Sequence, residues 1–168
     1  LNQEQTKAYQ LIQRKEGVHL LYGQTGSGKT EVYLHLAKKA VEEGKQVLIL
    51  VPEIGLTPQM VNRVSRVFGQ DLGMYHSGLN EQERYEQYQL VKQGRLKVIV
   101  GTRSAIFLPF QKLGLIVLDE EHDSSYKQDV QPSYHCRDVA VERAGFHHCP
   151  LVLGSATPSL ESYAKALK

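Results

Sequence analysis

The sequence predicts an α/β fold, a mainly parallel sheet with helices on both faces. Three observations predict it. Six short apolar runs alternate with amphipathic stretches along the chain. Several of those runs are apolar at nearly every position, as strands covered on both sides must be. The polar, chemistry-bearing residues follow the runs, where open α/β sheets bind ligands beyond the carboxyl ends of their strands.

In chain order, Gln3–Lys15 is an expected helix, opened by Asn2 with Gln5 three residues on, the pattern of a capping box. Val18–Tyr22 is the first expected strand. Thr30–Glu43 is the next helix, and Gly44 stands where it should stop. Gln46–Val51 is a strand and Pro58–Phe68 a helix. Asp71–Tyr75 is a strand, followed by a helix over Glu81–Gln93 that Asn80 and Glu83 cap in the same way as the first. Lys97–Gly101 and Leu113–Leu118 are strands, Arg137–Phe146 is a helix, Leu151–Leu153 a strand and Ser159–Leu167 a last helix. Parallel strands require such crossovers, and right-handed ones place helices on both sides of one sheet. No internal repeat or low-complexity linker divides the chain.

With 168 residues, 41% hydrophobic and 23% charged, the chain is sized and composed for one domain with a real core. The 20 Lys and Arg against 18 Asp and Glu leave a net charge of +2, too small for blanket attraction to nucleic acid. Any such contact must therefore be local. Cys136 and Cys149 lack the paired spacing of a zinc site and read as cytosolic thiols. No signal peptide is visible, and no apolar run approaches the ~20 residues that span a membrane, so a cytoplasmic protein is expected. The opening Leu1 reads as the start of a piece cut from something longer.

After the first strand comes Gly23-Gln24-Thr25-Gly26-Ser27-Gly28-Lys29-Thr30, which fits G-x-x-x-x-G-K-[ST] throughout. The glycines let backbone N–H groups turn inward around phosphate oxygens, and the next helix offers its positive end to the same anion. Lys29 should reach the β- and γ-phosphates, and the Thr30 hydroxyl should ligate Mg²⁺. A chance glycine-rich turn explains neither the full match nor its place between strand and helix.

The run Leu113–Leu118 ends in Asp119-Glu120-Glu121-His122. An apolar strand with an Asp at its tip is the Walker B arrangement. Asp119 would hold Mg²⁺ through water, and Glu120 would polarise the attacking water as general base. His122 either relays nucleotide state to neighbouring loops, the preferred reading, or caps a helix.

These motifs, with Gly154-Ser155-Ala156-Thr157-Pro158, resemble motifs I, II and III of superfamily 2 helicases. The resemblance extends to the bacterial primosomal replication-restart helicases within that superfamily. It is carried by the stretches Val51–Gln59, Gly101–Phe107, Asp119–Gln128, Tyr134-His135, Arg137–Ala140 and Leu153–Ser162. It covers nearly the whole chain, and Pro52–Thr57 and Asp119–Lys127 are its most specific parts.

The resemblance implies a RecA-like P-loop NTPase domain, residues 1–168 being the first of two such lobes in a longer DNA helicase. Gln5 would hydrogen-bond adenine, or else serve as a plain helix-start residue. Thr57, Arg103 and Ser104 would contact DNA phosphates, with an interlobe contact or a structural salt bridge as the alternatives for Arg103. Tyr126, Lys127, Tyr134, His135 and Arg137 interleave aromatics with bases. They read as a single-strand sensor that couples DNA to hydrolysis, against a surface loop with half-buried tyrosines. Ser155, Ala156 and Thr157 would join His122 in that coupling. ATP and Mg²⁺ are the implied cofactors, and zinc belongs to an insertion outside this chain. Implied partners are single-stranded and forked DNA, the second lobe in cis, primosome and helicase-loading proteins and single-stranded DNA-binding protein, with no membrane. The implied activity is 3′-to-5′ unwinding in replication restart. The isolated piece is expected to bind nucleotide weakly and hardly turn it over, because the arginine finger lies in the second lobe. A different superfamily 2 motor and a nucleotide switch that never hydrolyses ATP are the competing readings.

Overall fold

The computed structural model describes residues 2–13, 16–23, 28–129, 134–155 and 161–164. The elements in order are α1 (Gln3–Gln13), β1 (Gly17–Tyr22), α2 (Lys29–Glu42), β2 (Gln46–Leu50), α3 (Pro58–Phe68), β3 (Leu72–Tyr75) and α4 (Glu81–Lys92). Then follow β4 (Val98–Gly101), β5 (Leu113–Leu118), β6 (Lys127–Gln128), β7 (Tyr134–His135), α5 (Cys136–His147), β8 (Pro150–Ser155) and β9 (Glu161–Ala164). Short 3₁₀ turns at Glu53–Gly55, Arg103–Phe107 and Ser124–Tyr126 shape the loops after β2, β4 and β5.

The main sheet runs β3-β4-β2-β5-β8-β1-β9. Its first six strands are mutually parallel, and β9 pairs antiparallel with β1. β6 and β7 form a separate antiparallel ribbon. Parallel order brings the carboxyl ends of β1, β2, β5 and β8 to one rim, with β8 lying between β1 and β5.

Side-chain alternation gives the sheet two cores. Val47 and Ile49 of β2 face one side, where they pack with Ala8 and Ile12 of α1, Val32 and Leu36 of α2, and Val64 of α3. Leu48 and Leu50 face the other, with Val91 of α4, Ile106, and Ala140 and Ala144 of α5. Both faces of β2 are thus covered, which is why all five of its residues are buried. Its one polar residue, Gln46, is fully hydrogen-bonded. Its amide donates to the carbonyls of Val91 (3.1 Å) and Leu96 (2.9 Å) and accepts from the Gln111 N–H (2.9 Å). Asn80 and Glu83 form the capping box of α4, and Asn2 and Gln5 exchange the same pair of bonds at α1.

One expected element is corrected. The helix predicted over Ser159–Leu167 is not present: residues 161–164 form β9, and the remainder of that segment lies outside the described residues. Without β9, the outer side of β1 would be an open edge of N–H and C=O groups. Pairing that edge outweighs a weak local helix preference. Among the described residues, no helix is long and apolar enough to cross a membrane.

Candidate nucleotide site and adjoining surface

β1 ends at Tyr22, and the Gly23 N–H donates to the Ser155 carbonyl at the end of β8 (2.8 Å). Residues Gln24, Thr25, Gly26 and Ser27 lie outside the described residues. At Gly28 the chain is left-handed, with φ 99°, and turns directly into α2. Glycine is required there twice over: by that backbone, and because a β-carbon would run into the Gln5 side-chain amide. Gln5 is almost completely buried; its Oε1 accepts from Asn2 N–H (2.8 Å) and its Nε2 donates to the Gly28 carbonyl (3.1 Å). It therefore starts α1 and also ties that helix to the end of the phosphate loop.

Lys29 and Tyr33 stand one turn apart on α2, so both reach the same neighbour. Lys29, only 5% exposed, places Nζ 2.9 Å from Glu120 Oε1 and 3.5 Å from Asp119 Oδ1. The Tyr33 hydroxyl donates to Asp119 Oδ1 at 2.6 Å. Burial first, and then the Asp119 charge, push the Tyr33 pKa well up, so it stays a neutral donor. Glu120 sits at φ 50°, a left-handed backbone that is costly for a residue with a β-carbon. That turn sends consecutive carboxylates from one strand tip toward a single lysine. Glu121 is the buried member of the box, held by Arg137 Nη1 (3.5 Å) and His122 Nε2 (3.2 Å).

Thr30, Asp119, Glu120, His122 and Ser155 line one cleft of about 640 Å³ at the sheet rim, with Thr57 and Met60 on its far wall. Thr30 and Asp119 offer hard oxygen donors. Mg²⁺ suits such a pair, because it keeps its waters and takes one or two carboxylates together with substrate phosphates. Among the described residues, no group of three or more His, Cys, Asp or Glu forms an all-protein cage. Ala156 and Thr157 lie outside the described residues.

The residues expected to meet DNA separate into groups. Arg103, Ser104, Lys127 and Tyr134 form or border one surface. Arg103 Nη1 donates to the carbonyls of Lys127 (2.8 Å) and Ser125 (3.3 Å), and its guanidinium lies 5.9 Å from the Tyr134 ring centre. Tyr134 meets the exposed Phe107 edge to face at 5.0 Å. Among the described residues Arg103 partners carbonyls and forms no salt bridge. Thr57 caps α3, accepting from the Met60 N–H at 3.2 Å, and His135 caps α5, accepting from the Arg137 N–H at 3.0 Å. Arg137 turns to Glu121.

Tyr126 requires a correction. It is fully buried, and a buried ring is no platform for a base. Its hydroxyl lies between the Leu50 carbonyl at the end of β2 (3.2 Å) and the carbonyl of Asp119, the residue after β5 (2.5 Å). Burial raises its pKa, and Asp119 raises it further. Tyr33 and Glu121 are site residues that the motifs did not single out. For Tyr33 a signal existed: its spacing of four from Lys29.

A parallel sheet with a glycine loop and its lysine after β1, and paired acids after β5 against that lysine, defines a RecA-like P-loop domain. The chain belongs to the DEAD/DEAH box helicase family, whose model matches residues 2–166. It is 50% identical over 173 residues to replication restart protein PriA of Bacillus subtilis, covering 100% of this chain and 22% of that protein. It is 52% identical over 166 residues to PriA of Synechocystis (97% and 20%) and 47% identical over 165 residues to PriA of Helicobacter pylori (98% and 26%). The chain thus spans a fifth to a quarter of the length of these curated relatives. Among solved structures it is similar in fold to RecG bound to a three-way DNA junction. There the TM-score is 0.71 at 24% identity, over 94% of this chain and 21% of RecG. It is likewise similar to the Hef helicase domain of Pyrococcus furiosus, with TM-score 0.62 at 22% identity, over 92% of this chain and 32% of that one.

Proposed function

We infer that this chain is the first RecA-like, ATP-binding lobe of a longer bacterial, cytoplasmic DNA helicase that unwinds 3′ to 5′ and restarts replication at stalled forks. The observation that carries it is the convergence of Lys29 with Asp119 and Glu120 at one rim of the sheet. In this reading Lys29 leaves the acids for the β- and γ-phosphates of ATP when nucleotide enters. Thr30 and Asp119 would hold Mg²⁺, which when bound would supply positive charge against the transferring phosphoryl group. Glu120, released from Lys29, orients the attacking water and takes its proton. Gln5 meets the adenine edge while keeping its hold on Gly28.

The aromatic and basic surface around Arg103, Ser104, Phe107, Lys127 and Tyr134 meets single-stranded or forked DNA. Such contacts suit sequence-tolerant grip. His122, Arg137, Ser155, Ala156 and Thr157 couple DNA contact at that surface to hydrolysis at the acids. RecG and the helicase MrfA, both similar to this chain in fold, were solved bound to DNA, which favours a DNA substrate. Primosome proteins, helicase loaders and single-stranded DNA-binding protein are the partners that the PriA relatives suggest. A second lobe supplies the arginine finger, so residues 1–168 alone bind nucleotide and hydrolyse it hardly at all.

The test is made in the full-length protein. Lys29→Ala is expected to abolish ATP hydrolysis while sparing fork binding, and Glu120→Gln to retain ATP without splitting it. Normal hydrolysis by Glu120→Gln overturns its role as base. Efficient DNA-stimulated hydrolysis by residues 1–168 overturns the need for a second lobe.

A further inference from the structure

The bond from the Tyr33 hydroxyl to Asp119 is built from three directions. α2 brings the ring in from beneath the sheet, fully enclosed at 2% exposure. β5 brings the carboxylate, and β8 passes between with Gly154. A β-carbon at Gly154 would fall on the Tyr33 hydroxyl and 2.5 Å from Asp119 Oδ1. β8 therefore leaves out a side chain at the point where the hydroxyl and the carboxylate meet. Gly154 has no positive φ to explain it; its reason is space.

We propose that Tyr33 is a positioning residue for the metal-holding Asp119, and that Gly154 keeps open the gap through which it acts. The proposal rests on the reading of Asp119 as the Mg²⁺-holding acid. A carboxylate at a strand tip rotates between several settings unless something fixes it. With Oδ1 held by a 2.6 Å hydrogen bond, and Lys29 3.5 Å from the same atom, the plane of the carboxylate is set before any cation arrives. The second oxygen is then left for the hydration shell of the metal. Outer partners of metal-binding carboxylates typically change metal affinity by about 10–100-fold when removed. Because the carboxylate itself stays and the Asp119 N–H keeps its bond to the Leu50 carbonyl, the lower end, about tenfold, is expected here.

The probe is Mn²⁺ in place of Mg²⁺, titrated into the full-length protein loaded with ADP and read by electron paramagnetic resonance. ADP affinity in EDTA is measured alongside. Tyr33→Phe keeps the ring and removes only the donor; it should weaken Mn²⁺ about tenfold and leave metal-free ADP affinity unchanged. Gly154→Ala retains the tyrosine but wedges the hydroxyl from the carboxylate, and should give the same split. It also serves if Tyr33→Phe does not fold. Asp119→Asn is the reference for loss of the metal. If Asp119→Asn loses Mn²⁺ while Tyr33→Phe binds it as wild type does, the positioning role is overturned and the site reading stands. If Asp119→Asn also binds Mn²⁺ normally, the site reading itself has failed. Equal losses of metal-free ADP and of Mn²⁺ in Tyr33→Phe overturn the proposal in favour of a purely structural tyrosine.

Discussion

Tyr126 separates two accounts of the segment after the acidic box, and substituting it distinguishes them. If the ring is a stacking platform, Tyr126→Phe should be nearly neutral and Tyr126→Ala should weaken DNA binding without unfolding anything. The structure predicts otherwise. The ring is buried, and its hydroxyl satisfies the Asp119 carbonyl; the Leu50 carbonyl keeps the Asp119 N–H at 2.9 Å whatever happens to the tyrosine. Tyr126→Phe therefore orphans one buried acceptor, a loss of about 1–2 kcal/mol. For a chain of this size that is about 2–8 °C in Tm. Tyr126→Ala adds a cavity among Leu50, Leu118 and Cys136 and should cost about 3–5 kcal/mol. Thermal and urea denaturation of the chain measure these losses, and fluorescence anisotropy with a labelled single strand measures DNA affinity in the full-length protein. Tyr126→Phe should bind DNA as wild type does while melting lower. An alanine variant with wild-type stability and weakened DNA binding would refute the buried-strut account.

Gln46→Leu should lower stability by about 1–3 kcal/mol, because it takes the side-chain partner from the Leu96 carbonyl and the Gln111 N–H, while the Val91 carbonyl keeps the Gly94 N–H at 3.0 Å; a shifted urea midpoint is the check. Cys136 and Cys149 should resist a disulfide reagent at pH 8 until the protein is unfolded, since burial pushes both thiols up to about 12 and leaves little thiolate in the native state. Stoichiometric labelling of the native protein within seconds would contradict this.

Strands buried on both sides write themselves into sequence as continuous apolar runs, and each of the six parallel strands, the half-buried edge strand β3 included, was legible within a residue or two. Capping is equally local, and Asn2–Gln5 and Asn80–Glu83 formed the bonds that their spacing implies. The failures are all non-local. Residues 161–164 were drawn into the sheet by the outer edge of β1, more than a hundred residues away in sequence. Tyr126 looked like one more ring in a polar loop because the Leu50 carbonyl it approaches is 76 residues distant. His135 caps α5 through a bond only two residues long, from the Arg137 N–H to its ring nitrogen, which spacing alone does not announce because histidine is no usual cap.

The same non-local bonds show how a change at the surface can reach the acids. Arg103 holds the carbonyls of Ser125 and Lys127, and Tyr126, between them in sequence, abuts the Asp119 carbonyl. One residue on, the backbone of Glu120 is left-handed; two residues on, Glu121 takes Arg137 at the first turn of α5. A strand of DNA that drew Arg103 away from those carbonyls would loosen the segment whose tyrosine holds the Asp119 carbonyl. A phosphate that captured Arg137 would leave Glu121 buried with one partner fewer. Either change bears on a residue already held in a costly backbone conformation, where a small gain in freedom alters the angle of a carboxylate more than it alters the fold. Coupling between the surface and the cleft then needs no movement of the sheet, only the release of two arginines from partners within the chain.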